Sequence, residues 1–540
     1  MKKNVLKRRN SVLAIVLCLS LLFMNACTKL DEDIYSTIAT EKTELTEEDI
    51  QNLVAPVHAS LRALYWGWDG LFDIYEESSD LIMTPLRIGV GWGDYYVAMH
   101  KHQFNPNISH FYGLWINAYK GIGGANAILD LDNPATAKFV PEMRAMRALF
   151  YYFLLDNFRN VPLVTTQDLP AGFLPEQAAP QEIFDFIVSE LDAVKEDLGE
   201  SKTNFGHMNR YAANMLLAKM YLNYNAWFGT NDNDNYEKAL VELEEVLAAG
   251  YSLSPNYEGP FKADISSDPE VIFGIPYDIT YAAGNYLSNK AFHANSAQTF
   301  NLSAAPWNGN GAIPQFIDTY DEDDERFEKT WLMGPQYDFN GQPIMVDGTP
   351  FVYTKEVTSI DGATPNQGAR FRKYEVVSGN VGTYGDDVPL FRLSDAYFMK
   401  AECLLRLGRD EQTAADLVTQ VRQRAFKQHP EKAIRTVAQL KGGSVYQYGH
   451  YENGVWKTVE GGADIELGGL LDDLAWEFVG EHHRRQDLIR FKLTSGTPVY
   501  LGKSWFCKDA EGTASSYKLI FPIHQEFINS NVKLVQNGGY

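Results

Sequence analysis

Four cysteines in 540 residues are too few for a disulfide framework, and no two are spaced as C-x-x-C. That spacing removes support for a zinc ribbon or a thioredoxin-like redox site. Cations are also scarce, with 47 Lys and Arg against 70 Asp and Glu for a net charge of -23. Such a balance argues against nucleic acid and anionic lipid headgroups, and more weakly against polyanionic glycans. The apolar run near the N-terminus, residues 11–24, is too short to span a bilayer.

That run is instead the middle of an export signal. Lys2, Lys3, Lys7, Arg8 and Arg9 form its charged start, and it ends in Met24-Asn25-Ala26-Cys27. A small residue before a Cys at this point resembles the bacterial lipobox, so Cys27 is expected to carry lipid and to begin the mature chain. Ordinary secretion with cleavage nearby is the alternative. Losing residues 1–26 takes away five cations and no acid, leaving 42 against 70, or -28. A lipid on Cys27 would be the protein's only hold on a membrane. Of the other cysteines, Cys18 falls in the signal, and Cys403 lies on a predicted helix face, where a buried thiol is expected rather than a bridge.

Apolar spacing organises the rest. Leu393, Ala396, Met399, Cys403, Leu404 and Leu407 include i, i+3, i+4 steps, Gly408 suits a helix end, and Ala414, Leu417, Val418, Val421 and Ala425 mark a second helix. Two amphipathic helices with a Gly-containing turn form the unit of tetratricopeptide-type repeats, which need siblings to bury their faces. Residues 210–225 and 236–250 repeat the pattern, and helices are also predicted over 45–65, 111–131, 142–158 and 181–198. A further, weaker pair is expected from 470 onward. Residues 66–110 mix Trp66, Trp68, Trp92, Tyr95 and Tyr96 with glycines and read as irregular chain. Residues 251–389, rich in Gly, Pro, Asn and aromatics, read as a loop-rich elaboration with small β-hairpins that must borrow core from the helices. The expected fold class is mostly α: a tetratricopeptide-like helical hairpin scaffold, mainly 45–250 and 390–491, carrying that elaboration within a single mature domain, 27–540.

Two further stretches carry a family resemblance. In 470–491, Glu477, Gly480, Glu481, His483, Arg484, Asp487, Leu488 and Arg490 fit the pattern ERxxEfxgEghRxxDLiR. At the C-terminus, Pro522, Ile523, Asn531, Leu534, Gln536, Asn537, Gly539 and Tyr540 fit PIPxxEixxNpxLxQNpGY. Leu474, His482, His524, Val532 and Gly538 depart from these patterns. With the 390–426 hairpin, they make the chain resemble the SusD/RagB-like outer-membrane lipoproteins, the glycan-binding partners of TonB-dependent transporters.

The resemblance implies a non-catalytic cell-surface lipoprotein that captures oligo- or polysaccharide and passes it to a SusC-like TonB-dependent transporter. It also implies a surface-exposed, lipid-anchored place on the outer membrane, with Thr28 to Asp33 as a short acidic tether. Family segments placed like 89–96, 284–286 and 307–311 supply a stacking platform, which carries over to Trp92, Tyr286 and Trp307, with Asp94 and Asn308 as polar partners. Trp68 and Tyr96 are further candidates, because flat rings stack on sugar C–H faces while amides and carboxylates take hydroxyl protons. Each ring has an alternative place in the core, where Trp and Tyr are mostly buried. The tryptophan-rich segment and the negative charge lean towards a neutral, β-glucan-like polymer. Peptide cargo is the alternative ligand, since some relatives serve peptide uptake.

Other readings stay open on the residues alone. A glycoside hydrolase needs paired carboxylates about 5–10 Å apart, and Glu76, Glu77 and Asp80 supply acids without a visible pairing. A docking scaffold would use the repeats' concave face. No catalytic residue, cofactor or metal site is expected. His100 and His102 lack a third ligand and are expected to be structural, while the run Asp321 to Glu325 leaves a structural calcium ion open without showing the spaced calcium-loop pattern. Glu481, Arg484, Asp487 and Arg490 are expected to form ion pairs that lock helices together.

Overall fold

The long helices form where the apolar spacing places them, with ends set by local chemistry. The computed structural model describes residues 45–65, 69–200, 202, 204–382 and 384–540. The long helices of its first half are α1 (Glu47–Tyr65), α4 (Ser109–Leu129), α5 (Val140–Phe158), α6 (Pro180–Val194), α7 (Arg210–Phe228) and α8 (Asp234–Ala248). Between α1 and α4 lie the short helices α2 (Leu71–Glu77) and α3 (Asp94–His100). Later come α9 (Leu287–Ala291), α10 (Leu393–Leu407), α11 (Glu411–Gln423), α12 (Gly468–Phe478) and α13 (Arg484–Arg490). Asn209 caps α7 by accepting from the Ala212 amide at 2.9 Å. Gly408, at φ 65°, ends α10 in the left-handed conformation that favours glycine.

These helices stack as four pairs: α1 with α4, α5 with α6, α7 with α8, and α10 with α11. Successive pairs pack through α4 on α5, α6 on α7 and α8 on α10. From Ala145 to Phe158 α5 is buried on every side, so it reads as the axis of the first half rather than as an amphipathic surface helix. Among the described residues no helix is long and apolar enough to cross a membrane. The expected signal and Cys27 lie outside the described residues.

The elaboration is tied to the stack by short strands: β1 (Ile82–Met83), β2 (Val271–Ile275), β3 (Gly311–Ala312) and β4 (Val388–Arg392). β2 pairs antiparallel with β4 at the root of α10, closing the 251–389 excursion. β1 pairs antiparallel with β3, which brings the segment before α3 against the loop that follows α9. Residues 69–110 are thus more ordered than their glycines suggest, because α2 and α3 are short helices buried by their neighbours rather than by their own periodicity.

The stretch matching the first family pattern is not one helix. It breaks into α12 and α13 across 479–483, where Gly480 has φ 78° and His482 φ 66°. A side chain on Gly480 would collide with the Phe371 ring, and the amides freed by the break both donate to Glu76 Oε1, from Gly480 at 3.1 Å and His482 at 3.2 Å. The pattern's charged residues do lock elements together. Arg484 holds Asp80 through Nε at 2.6 Å and Nη2 at 2.7 Å, and Arg490 grips both oxygens of Glu402 and reaches Asp487. Arg424 and Arg392 join Glu270 and Glu477 in a buried cluster that Arg392 extends to Glu481, and these two cations hold the Glu270 carboxyl down at about 2 against its burial. The C-terminal pattern works likewise: Asn537 Nδ2 donates to the carbonyls of Phe521 and Phe158, and Tyr540 Oη to that of Ile520. Cys403 and Cys507 are buried free thiols.

Candidate functional site

Tyr286 ends the loop that enters α9, and Trp307 lies on the return loop beside it. Their rings stack with centroids 5.1 Å apart and an interplanar angle of 27°. Both remain partly exposed. The backbone of α9 fixes this arrangement. The amides of Trp307, Asn308 and Gly309 donate to the carbonyls of Asn289, Phe292 and Lys290, at 3.0, 2.6 and 2.7 Å. A loop pinned at three successive residues holds its ring in place before any ligand arrives, which reduces the ordering cost of binding.

Behind the loop stands Trp92. Its Nε1 donates to the carbonyls of Asn308 at 2.9 Å and Trp307 at 3.2 Å, and only 7 % of the residue is exposed. Gly309 is required here, because a Cβ would sit 2.6 Å from the Trp92 ring and 2.8 Å from the Lys290 carbonyl. Two buried arginines complete the support: Arg87 Nε donates to the Gly309 carbonyl at 2.9 Å, and Arg370 Nη2 to Asn308 Oδ1 at 2.9 Å. Burial lowers both guanidinium groups, Arg370 to about 10. Asn308 takes φ 58°, a conformation its short amide tolerates better than most side chains.

Deeper still, the Lys290 ammonium pairs with Asp73 and lies 3.4 Å from Glu77, beneath the face of Tyr96. Tyr96 Oη donates to Asp73 Oδ2 at 2.8 Å. Glu77 also accepts from the Thr84 amide at 2.6 Å. Four acids of this segment are therefore spent inside the protein: Asp73, Glu76, Glu77 and Asp80 are fully buried, with Asp80 held by Arg484 and Tyr448. None presents a carboxylate to a surface cleft in the way a hydrolase acid pair must.

The expected site residues thus separate. Tyr286 and Trp307 form one surface feature. Trp92 and Asn308 lie under it as supports, and Tyr96 is wholly buried a layer further in. Asp94 is exposed in the first turn of α3. Trp68 lies outside the described residues. A ring the spacing did not single out is Tyr281, 91 % exposed five positions before Tyr286. Asp278 Oδ1 accepts from the amides of Thr280 and Tyr281, both at 2.8 Å, and this side-chain turn lifts the ring outwards. The signal was Asp278 two residues before Thr280 in a short stretch that ends at Gly284.

Elsewhere, His102 Nε2 lies 3.0 Å from the Ser78 carbonyl and its ring stacks on Tyr500, while His100 is buried near Phe506. In the acidic run, Lys432 pairs with Asp321 and Asp323, and Asp324 pairs with Arg326.

A family model described as the SusD family matches residues 269–540, and one described as starch-binding and associating with the outer membrane matches 43–222. The starch-binding protein SusD of Bacteroides thetaiotaomicron is 25 % identical over 439 residues, 74 % of this chain and 72 % of its own. The SusD-like protein P25 of Formosa agariphila is 23 % identical over 496 residues, 86 % of each chain. Among solved structures, a laminarin binding SusD-like protein superposes with a TM-score of 0.65 at 21 % identity, covering 92 % of this chain and 100 % of its own. Surface glycan-binding protein A from Bacteroides thetaiotaomicron, solved with laminarihexaose, gives 0.64 at 20 % identity over 91 % and 99 %. These structural matches establish the fold. The family model, which spans half of the length, shows the rest: the chain belongs to the SusD family.

Proposed function

We propose that this chain is a non-catalytic, surface-exposed lipoprotein of the outer membrane that binds a neutral oligo- or polysaccharide on the Tyr286–Trp307 face. The observation that carries the reading is that stacked, partly exposed ring pair on a backbone-pinned loop. The outward ring face of such a stacked pair offers a flat apolar surface to the C–H face of a sugar. Tyr281 and Asp94 supply a further exposed ring and carboxylate for its hydroxyl groups. The relatives' names, starch-binding and laminarin binding, support a glycan as the ligand class. Burial of Asp73, Glu76, Glu77 and Asp80 supports binding without hydrolysis. Lipid on Cys27 would anchor the protein, and a SusC-like TonB-dependent transporter would receive the captured sugar.

Affinity gel electrophoresis against starch, laminarin and other neutral and acidic polysaccharides tests this. Retardation by a neutral polymer, with no reducing sugar released on incubation, is expected. No retardation by any polymer would overturn the glycan reading in favour of peptide cargo.

A further inference from the structure

Three side chains distant in sequence converge near the start of the helical stack. His58 lies on α1, Glu142 in the first turn of α5, and His207 on the loop before α7. One ligand atom from each lies within 4.8 Å of the others. His207 Nδ1 is 2.9 Å from Glu142 Oε1 and 3.0 Å from Oε2, and His58 Nε2 is 3.5 Å from Oε1. The His58 Nε2 atom is buried and has no hydrogen-bond partner among the described residues, although it lies 3.5 Å from this carboxylate.

We infer that His58, Glu142 and His207 form a binding site for one divalent transition-metal ion of the zinc class.

The dimensions agree with that assignment. Zinc bonds of about 2.0–2.1 Å in a tetrahedron set ligand atoms roughly 3.4 Å apart. The observed N–O separations of 2.9 and 3.5 Å need only small adjustments to reach this value. The same bonds put the centroids of two imidazoles on one ion about 5.2 Å apart. The rings of His58 and His207 are 5.2 Å apart, edge to face. Two imidazoles and a carboxylate suit zinc, nickel or copper, whereas calcium and magnesium prefer an all-oxygen shell. The His58 and Glu142 side chains are 13 % and 11 % exposed and His207 36 %, which gives a dry interior with one ligand at the surface. That leaves an entry path and a fourth position for water. The Met208 amide donates to Glu142 Oε1 at 3.2 Å and orients the carboxylate from behind. A metal here would cross-link α1, α5 and the loop entering α7, and so join three of the four helix pairs.

The test is titration of the untagged protein with cobalt and then zinc, read by cobalt d–d absorption and by thermal unfolding. One equivalent of cobalt should give a low-symmetry visible spectrum that zinc abolishes, and zinc should raise the unfolding temperature. His58→Ala, His207→Ala and Glu142→Gln should each weaken binding by more than about 100-fold, beyond the loss usual for outer-shell changes. His429→Ala, which removes a surface histidine elsewhere, should leave it unchanged. If the substitutions on the helices impair folding, His207→Ala on its loop decides the question, with circular dichroism as the fold control. Absence of stoichiometric binding, or an equivalent retained in His207→Ala, would overturn the assignment.

Discussion

The indole Nε1 of Trp92 donates to the backbone carbonyl of Asn308 at 2.9 Å, so a ring expected to meet ligand instead braces the loop that carries Trp307. Trp92→Phe keeps most of the ring volume and removes the donor to one buried and one part-buried carbonyl. A loss of about 1–3 kcal/mol in folding stability is expected by denaturant titration. Glycan affinity should fall only partly, because the exposed rings remain.

The same brace predicts the behaviour of Gly309. Gly309→Ala forces its new methyl group into Trp92 and the Lys290 carbonyl, costing about 1–3 kcal/mol and displacing Trp307. Gly91→Ala is the control, since a Cβ there meets nothing within 4 Å. Thermal unfolding and glycan binding should both drop for the first variant and neither for the second.

The kink between α12 and α13 rests on a protonated acid. Burial raises the Glu76 carboxyl from 4.5 to about 8; Oε1 accepts two amides, and Oε2 has no partner among the described residues. The folded state therefore holds a proton that the unfolded state releases above its ordinary carboxyl value. This contribution to stability is complete below about pH 4.5 and is lost as pH rises through about 8. Glu76→Gln stays neutral at every pH, so its stability relative to the native protein should improve steadily from pH 5 to about 8. Unfolding curves collected across that range check the sign.

Much of the scaffold was legible because short-range chemistry decides it. The 390–426 hairpin showed its apolar steps and its Gly408 turn, and the C-terminal pattern showed residues that the structure uses as carbonyl clamps, such as Asn537. What stayed hidden depends on long-range approach. The break at 479–483 needs Phe371 and Glu76 to be close, and neither is near in sequence. Local composition likewise could not separate Trp92 from Trp307. Both sit beside glycine or a small polar turn, and long-range ties such as the pairing of β1 with β3 bring the first beneath the loop of the second. The gathering of His58, Glu142 and His207 lacks any spacing signal, for the same reason.

The most direct measurement is calorimetric titration of the best-binding polysaccharide into the native protein, Trp307→Ala and Tyr286→Ala, with unfolding temperatures recorded alongside. If the stacked pair is the binding face, each truncation weakens binding by about tenfold or more, as central aromatic contacts do, while the unfolding temperature barely moves. Native affinity in both variants would contradict the account and move the ligand to another surface.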